Sequence, residues 1–422
     1  MWQKHRMQAP YAIHEIDLET SIPMLRLGPG EGGAHVLVRL GAHPVGVVWL
    51  SRAEHGAEIA PERLEPLIER AAGAQIRTLA ASRALRAAAG IPTPAQVPAL
   101  TIAVCTRGRA ELLRRCLAAL VDLRDRATAE RGAGVDLLVV DNAPPDDETR
   151  AAVADFAGVR YVVELVPGLD FARNRALAST DRPWLAFVDD DAVVDRHWLD
   201  RFAEGVAATP DAGCFTGPIL PLMLDTEAQL RFERAGGFGK GFVKQRYGLE
   251  VWGDNDTYPA GAGSFGTGAC MVFATTALRD LGGFDEALDT GPPLPGGGDV
   301  DMFYRIVRSG RRLVYLPGLF VRHEHRRDMA GLAKQYRSWG LAIMALAEKN
   351  DRTDPAMRGR QALVRRKWIK RILRDLGRAL TGRGPRPPTL VWPELAGSLA
   401  AMTGEYARSE ARMAVRRREH AR

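Results

Sequence analysis

The middle of the chain alternates short, mostly apolar runs with segments in which apolar residues recur every three or four positions. The runs are LTIAV (100–104), DLLVVDN (136–142), RYVVE (160–164) and WLAFVDDD (184–191). Between the first two, a helix is predicted from Glu111, with one apolar stripe from Leu112 to Leu123. Apolar strands that alternate with helices predict a parallel sheet with helices on both of its faces.

The N-terminal segment has a different pattern. Two β-rich runs, 35–41 and 43–51, meet at a Gly-Ala turn and predict a hairpin. Residues 60–89 have helical spacing and begin with a proline in the first turn. The closely spaced prolines of 90–98 predict a linker. Residues 1–98 are therefore interpreted as a small α+β accessory unit.

Charge separates an acidic body from a basic C-terminal part. Residues 326–422 contain 23 Lys and Arg against 9 Asp and Glu, whereas residues 1–325 contain 35 basic and 42 acidic residues. Such asymmetry suggests different partners for the two parts. We predict a main domain over 99–330 and a helical, basic extension over 331–422.

Composition narrows the class of protein. Hydrophobic residues make up 46% and charged residues 26% of the chain, which excludes a wholly disordered or collagen-like protein. Four scattered cysteines without a CxxC pair exclude a disulfide scaffold and an all-cysteine zinc site. Neither a membrane-spanning apolar run nor a signal peptide is recognisable. We expect a soluble, cytoplasmic protein.

Polar residues follow the predicted strands at their carboxyl ends, where parallel sheets bind ligands. Thr106 and Arg107 follow the first strand, Asp141 ends the second, and Asp189 to Asp191 end the fourth. Three adjacent carboxylates repel one another unless a cation is present, and oxygen ligands suit Mg²⁺ or Mn²⁺. The alternative is an acidic turn in which Asp195 caps the next helix.

Further chemistry is expected near the end of the main domain. Asp299 follows three glycines and, with Asp301, begins a predicted helix, so either carboxylate is a general base or a structural cap. His323 and His325 lie two residues apart and share one face if the segment is extended, as metal ligands or as surface residues. Arg173 either pairs with a phosphate or belongs to a solvated helix face.

Eight segments, in this order, resemble the family 2 glycosyltransferases: VCTRGR (104–109), VVDN (139–142), PGLDFARNRA (167–176), FVDDD (187–191), GTGACMVF (266–273), LGGFDEAL (281–288), GGGDVDMFYR (296–305) and VRHEHRR (321–327). The resemblance covers about residues 99–330. It implies a Rossmann-like, mostly parallel GT-A sheet, and an inverting enzyme that uses a nucleotide-sugar donor and Mn²⁺ or Mg²⁺.

The resemblance also implies roles for individual residues. The nucleotide would be contacted by Thr106, Arg107, Asp141, Arg173, Asn174 and Asp189. Asp191 and His323 would bind the metal, and Asp299 would be the catalytic base, with Asp301 as the second candidate. Many members have Glu-Asp where this chain has Gly298-Asp299. The base assignment therefore depends on Asp299 alone.

Processive members carry a Gln-x-x-Arg-Trp motif, whose residues occur here at the wrong spacing in 335–339. We therefore expect transfer of one sugar to a glycan, a lipid-linked or a small-molecule acceptor, and no nucleic-acid partner. Two alternatives remain: a sugar-1-phosphate nucleotidyltransferase, and a non-catalytic nucleotide-sugar-binding protein on the same scaffold.

A basic amphipathic helix is predicted in the C-terminal extension. Its apolar stripe comprises Val364, Trp368, Ile372, Leu376 and Leu380, widened by Leu363, Ile369 and Leu373. Two interpretations are open. The stripe packs on the main domain, or the helix lies on an anionic membrane at the inner face of the plasma membrane.

Overall fold

The computed structural model describes residues 8–91, 94, 96–132, 134–251, 255–289, 291 and 294–420. Residues 92, 93 and 95 of the predicted linker lie outside the described residues, as do residues 1–7 of the predicted N-terminal unit.

The N-terminal segment forms a small α/β structure. Its elements are β1 (Tyr11–Asp17), β2 (Leu25–Arg26), β3 (Gly33–Leu40), β4 (His43–Ser51), α1 (Arg52–His55), β5 (Glu58–Ile59) and α2 (Pro61–Ala88). Strands β3 and β4 pair in antiparallel fashion and confirm the predicted hairpin, while β1 pairs with β3 in parallel. Helix α2 buries Leu64, Ile68 and Ala72 in a core that includes Val36 and Val48 of the hairpin.

The main domain contains eighteen β-strands and α-helices among its described residues. They are β6 (Leu100–Thr106), α3 (Ala110–Arg131), β7 (Val135–Asn142), α4 (Glu148–Ala154), β8 (Val159–Glu164), α5 (Leu169–Ala178), β9 (Trp184–Val188), β10 (Ala192–Val194), α6 (Trp198–Ala208), β11 (Ala212–Thr216), β12 (Ile219–Pro221), α7 (Glu227–Arg234), β13 (Gln245–Tyr247), β14 (Cys270–Ala274), α8 (Thr275–Asp280), α9 (Gly298–Arg308), β15 (Arg312–Tyr315) and β16 (Val321–His323). The four strands predicted from apolar runs correspond to β6, β7, β8 and β9.

An eight-stranded sheet is the centre of the molecule, with the strand order β13-β15-β11-β14-β9-β6-β7-β8. All of its strands run in one direction except β13 and β14. Alternate residues of β6 enter different cores: Ile102 and Val104 pack with α3, and Ala103 packs with α5 and α9. Helices therefore cover both faces, which confirms the predicted α/β class.

The capping role that sequence analysis left open for Asp195 is not observed. Helix α6 has His197 at its N-cap position, without a side-chain capping bond, so Asp195 does not cap it. The Asp195 carboxylate instead accepts the backbone N–H of His197 and binds the guanidinium of Arg39 in the N-terminal hairpin. The Asp195 carboxylate binds the buried Arg39 instead of capping α6, because the ion pair compensates the buried positive charge of the guanidinium, which a helix cap would leave unpaired.

The C-terminal extension is helical, as predicted, with α10 (Met329–Thr353), α11 (Arg358–Leu380), α12 (Pro388–Ala401) and α13 (Glu405–His420). Part of the predicted stripe of α11, including Ile372, packs on Val391 and Leu395 of α12. Leu373 and Leu380 of the same stripe are exposed. None of the helices in the described ranges combines the length and apolar content that a membrane crossing requires.

Candidate active site

The carboxyl ends of three neighbouring parallel strands form the candidate site. Strand β6 ends at Thr106, which lies opposite Asp141 of β7, and β9 is followed directly by Asp189. Because β6 pairs with both β7 and β9, the polar residues predicted from sequence meet at one edge of the sheet. Parallel α/β sheets bind ligands at this edge.

A small second sheet brings His323 to the acidic cluster. Strand β16 pairs with β10, so that His323 lies opposite Ala192, the residue after Asp191. Nε2 of His323 is 3.0 Å from Oδ1 of Asp191, and one ligand atom each of Asp189, Asp191 and His323 lie within 4.8 Å of one another. Two carboxylates and one imidazole are a donor set that fits Mn²⁺ or Mg²⁺.

The electrostatics of these three residues are asymmetric. Burial and the charge of Asp191 raise the pKa of Asp189. Burial also acts to raise the pKa of Asp191, but the hydrogen bond from His323 and the charge of Arg109 outweigh it, and the pKa is lowered. Burial acts to lower the pKa of His323, but the Asp191 carboxylate raises it overall. The carboxylate of Asp191 is thus the one most strongly held in its charged form.

Sequence reasoning missed Arg109 in this cluster. Its guanidinium donates to Oδ1 of Asp190 at 2.5 Å and to Oδ2 of Asp191 at 2.6 Å, while the hydroxyl of Thr106 donates to Asp190 at 2.6 Å. Arg107, the residue singled out from sequence, is exposed. Gly108, with a φ of 59°, turns the backbone between the two arginines. The VCTRGR segment contains both, and its spacing alone does not distinguish them.

A second group of charges surrounds Arg173. This buried guanidinium donates to Asp170 at 2.8 Å and to Asp289 at 3.1 Å, and it packs over the ring of Phe284. Burial raises the pKa of Asp289 to about 6, although the charge of Arg173 lowers it. Arg173 is therefore fixed by carboxylates, which sequence analysis did not identify, rather than on a solvated helix face.

Arg173 also connects the acidic strand ends with Asp299. Nη2 of Arg173 and Oδ2 of Asp299 lie 2.8 and 3.1 Å from the position that a Cβ atom at Gly268 would occupy. Burial acts to lower the pKa of Arg173, but nearby carboxylates, which include Asp299 and Asp189, raise it overall. The absence of a side chain at Gly268 therefore leaves room where the two halves of the site meet.

The structure separates the two candidate bases. Asp299, in the first turn of α9, is partly exposed, and its Oδ1 accepts the N–H of Val300 at 2.8 Å. Asp301 is fully buried, with Arg305 at 2.7 Å and Lys349 of α10 at 2.6 Å. A carboxylate enclosed by two cations is poorly placed to receive a substrate proton. This geometry favours Asp299, although its role stays a prediction.

Two other predicted nucleotide residues have protein partners in this structure. Asn174 exchanges hydrogen bonds with the backbone of Phe284 and donates to Glu286 at 2.9 Å, so its amide fixes this loop. Asp141 is fully buried and accepts the hydroxyl of Tyr161 at 2.8 Å. Burial raises the pKa of Asp141. Their contact with a nucleotide stays a prediction.

A glycine-rich segment after α7 adds residues that had no assignment from sequence. Phe238 packs against the rings of His323 and His325, and His325 pairs with Glu233 at 3.0 Å. Burial lowers the pKa of Lys240, and the charge of Asp299 acts on it in the opposite direction. The segment therefore covers the histidine side of the cluster and places a lysine near Asp299.

The fold is an α/β architecture with a cluster of acidic side chains at the carboxyl ends of its parallel strands, the edge at which such sheets bind ligands. The family model described as "Glycosyltransferase like family 2" matches residues 98–342, more than half of the chain. The chain belongs to this glycosyltransferase family, and its sheet is of the GT-A type that the resemblance implied.

Curated relatives agree with this assignment. The chain is 27% identical over 290 residues to the pre-mycofactocin glycosyltransferase of Mycobacterium tuberculosis, covering 66% of this chain and 54% of the relative. It is 30% identical over 265 residues to the succinoglycan biosynthesis protein ExoM of Rhizobium meliloti, covering 59% and 76%. The chain thus spans about half the length of the first of these relatives.

The chain is also similar to the solved structure of the mannosyltransferase PcManGT of Pyrobaculum calidifontis, in complex with GDP-Man and Mn²⁺. The similarity has a TM-score of 0.47 at 18% identity and covers 74% of this chain and 88% of that one. S. aureus TarS is similar with a TM-score of 0.39 at 14% identity, over 58% and 39% of the two chains.

Proposed function

We propose that the protein transfers one sugar from a nucleoside-diphosphate sugar to an acceptor hydroxyl, with inversion at the anomeric carbon. The observation that carries the proposal is that one buried guanidinium, that of Arg173, interacts with both the carboxylate–imidazole cluster, through Asp189, and the partly exposed carboxylate of Asp299. The first group suits the diphosphate of a donor, and the second suits the acceptor hydroxyl.

The proposed donor site lies at the ends of β6, β7 and β9. Thr106, Arg107 and Asp141, at and after the ends of β6 and β7, would contact the nucleoside, and Asp189 would contact it from within the acidic cluster. Asp191 and His323, with Asp189, would hold Mn²⁺ or Mg²⁺. When bound, such an ion neutralises negative charge on the diphosphate leaving group.

The proposed transfer needs one base and no enzyme nucleophile. Asp299 accepts the proton of the acceptor hydroxyl as its oxygen bonds to the anomeric carbon and the bond from that carbon to the diphosphate breaks. The guanidinium of Arg173, already placed beside Asp299, is positive and attracts the developing charge of the leaving group. One direct displacement inverts the anomeric configuration.

A donor panel tests this function. The full chain is incubated with UDP-, GDP- and dTDP-sugars and simple acceptors, and release of the nucleoside diphosphate is measured. We expect release with at least one donor and a product of inverted configuration by NMR. Formation of a nucleotide sugar and pyrophosphate from a sugar 1-phosphate and a nucleoside triphosphate would instead identify a nucleotidyltransferase. Donor binding without turnover of any acceptor would favour a binding protein.

Metal dependence is tested on the same reaction. EDTA is expected to abolish transfer and Mn²⁺ or Mg²⁺ to restore it, while Asp191→Asn is expected to abolish Mn²⁺ binding in calorimetry. Asp136→Asn is the matched control, because Asp136 lies on the opposite end of β7 and pairs with Arg160. Full activity after thorough chelation would contradict the proposed metal role.

A further inference from the structure

Helix α11 carries two kinds of basic side chain. Arg365, Lys367 and Arg371 form ion pairs with other parts of the protein. A second set recurs every four residues along the exposed surface: Arg366, Lys370, Arg374 and Arg378. The carboxylate nearest to this set, among the described residues, is that of Asp375, 3.9 Å from Arg374. At 1.5 Å per residue the set forms a cationic ridge about 18 Å long.

Apolar side chains accompany this ridge on the same helix. Leu373 is 53% exposed and Leu380 is 70% exposed, and Met402 after α12 is 61% exposed. An open cleft of about 470 Å³ is lined by Ile369, Leu373 and Met402 together with ridge residues. Ile372 of the stripe and Ala379 already pack against Val391 and Leu395 of α12. The exposed side chains are therefore not part of this helix–helix contact.

A second cleft, of about 770 Å³, lies near the C-terminal end of the helix. Arg374, Arg378 and Arg383 line it, and its lining within the described part of the chain includes no carboxylate. Three guanidinium groups around one open cleft bind anionic oxygens well, because each presents several N–H donors. The cleft therefore extends the positive surface of the ridge beyond the end of α11.

We propose that this face of α11 binds the surface of a bilayer that contains anionic lipids. The ridge and the arginine cleft would contact the headgroups, and Leu373, Leu380 and Met402 would enter the boundary between headgroups and acyl chains. A cationic face with adjoining exposed apolar side chains is the pattern of helices that lie on membranes. The proposal concerns the location of the protein and does not depend on the transfer reaction.

A soluble polyanion is the competing occupant, and the aromatic residue of α11 argues against it. Binding of single-stranded nucleic acid normally uses exposed aromatic rings on which bases stack. Trp368 is instead engaged within the protein, where its indole N–H donates to Ser398 and Arg371 packs over its ring. Exposed aliphatic side chains beside the cations fit lipid better than they fit nucleic acid.

The test is co-sedimentation of the full chain with vesicles of phosphatidylcholine alone or mixed with phosphatidylglycerol, at low and high salt. We expect binding only to the mixed vesicles, and weaker binding at high salt. Each basic residue near such a surface contributes roughly fivefold in affinity, so Arg366→Gln/Lys370→Gln/Arg378→Gln should weaken binding about a hundredfold. Leu373→Gln/Leu380→Gln should weaken it while leaving its salt dependence in place.

A matched control removes the same charge elsewhere. Arg70, Arg182 and Arg246 are exposed and lie outside the C-terminal extension, so their triple substitution by glutamine should leave vesicle binding within about twofold. The proposal is overturned if wild-type protein does not bind mixed vesicles at low salt, or if both triple variants lose binding equally. It is also overturned if single-stranded DNA binds this face more tightly than the vesicles do.

Discussion

The three carboxylates after β9 have different surroundings, and their pKa values are shifted differently as a result. Asp189 is partly exposed. Asp190 binds Thr106 and Arg109, and Asp191 lies between Arg109 and His323. Burial raises the pKa of Asp190 to about 6, although Arg109 lowers it. At the residue scale, Arg109 thus provides the positive charge that three adjacent carboxylates require.

This arrangement predicts an antagonism between Arg109 and a metal ion. Arg109→Met removes the charge bound to two buried carboxylates and should lower the melting temperature of the metal-free protein by several degrees. Mn²⁺ should then raise the melting temperature of the variant more than that of wild type, because the ion replaces the missing charge. Thermal denaturation with and without Mn²⁺ measures both effects.

Arg107→Met is the control for this experiment, because Arg107 is exposed in the same segment. It should change neither melting temperature in the absence of a nucleotide. A smaller stabilisation by Mn²⁺ in Arg109→Met than in wild type would show that Arg109 supports the cation site instead of competing for it.

A second residue-scale prediction separates Asp299 from Asp301. Asp299→Asn should leave donor binding nearly intact and lower turnover by roughly 10²–10⁴-fold, because the amide cannot accept the acceptor's proton. Asp301→Asn should mainly lower the melting temperature, because Arg305 and Lys349 lose part of their counter-charge. Turnover and donor affinity of both variants are measured below their melting temperatures. Loss of turnover in a stable Asp301→Asn protein alone would reverse the assignment.

At the scale of elements, the sequence predicted long or strongly patterned segments and missed short ones. The apolar runs predicted β6 to β9, and helical spacing predicted α2 and α3. Strands β10, β12 and β16 have three residues each, too few for a period-two pattern to be recognised. Their small sheet places His323 against Asp191. Sequence analysis singled out both residues but gave no geometry that brings them together.

Side-chain contacts between residues distant in sequence also could not be predicted from the sequence. Arg109 meets Asp190 only because Gly108 turns the chain after β6, and Asp289 meets Arg173 across 116 residues. The spacing of residue types contains no signal for such pairs. Conversely, the strand-end positions of Thr106, Asp141 and Asp189 were predictable, because strand order and direction place them at one edge.

Helix α10 of the C-terminal extension supports the element that carries Asp299. Nζ of Lys349 lies 2.6 Å from Asp301 of α9 and 2.8 Å from Asp285, which also accepts the hydroxyl of Tyr406 of α13. The side chain of Lys349 is almost fully buried. The extension is therefore connected by charge to α9 and to the loop before it.

Lys349→Met should lower the melting temperature by several degrees, because removal of one partner leaves buried carboxylates with less counter-charge. The KM for the donor should rise, since the loop from Asp285 to Asp289 also supplies a carboxylate to Arg173. Lys334→Met, at an exposed position of the same helix, is the control and should change neither quantity. Equal melting temperatures for the two variants would contradict this role.

At the scale of the whole molecule, the N-terminal segment contacts the main domain at and beside its small second sheet, β10-β16-β12. The N–H of Tyr11 donates to the carbonyl of Leu224 at 2.9 Å, and Glu15 pairs with Arg322, next to His323. The most enclosed contact is that of Arg39, 1% exposed, with Asp195 between β10 and α6. The unit of 1–98 proposed from sequence therefore meets the main domain close to β10 and β16, the strands that bring His323 to Asp191.

Arg39→Met is expected to destabilise the protein by about 3–5 kcal/mol, because it leaves the nearly buried Asp195 carboxylate without its partner. Hydrogen exchange should increase both in β3 and β4 and in residues 192–198, since the ion pair joins these segments. The double variant Arg39→Met/Asp195→Asn should lose less than the sum of the single variants, because the two residues interact directly. Arg26→Met removes an exposed ion pair of the same N-terminal segment and should change stability by less than about 1 kcal/mol. Faster exchange confined to β3 and β4 would show that Asp195 is held independently of the N-terminal hairpin.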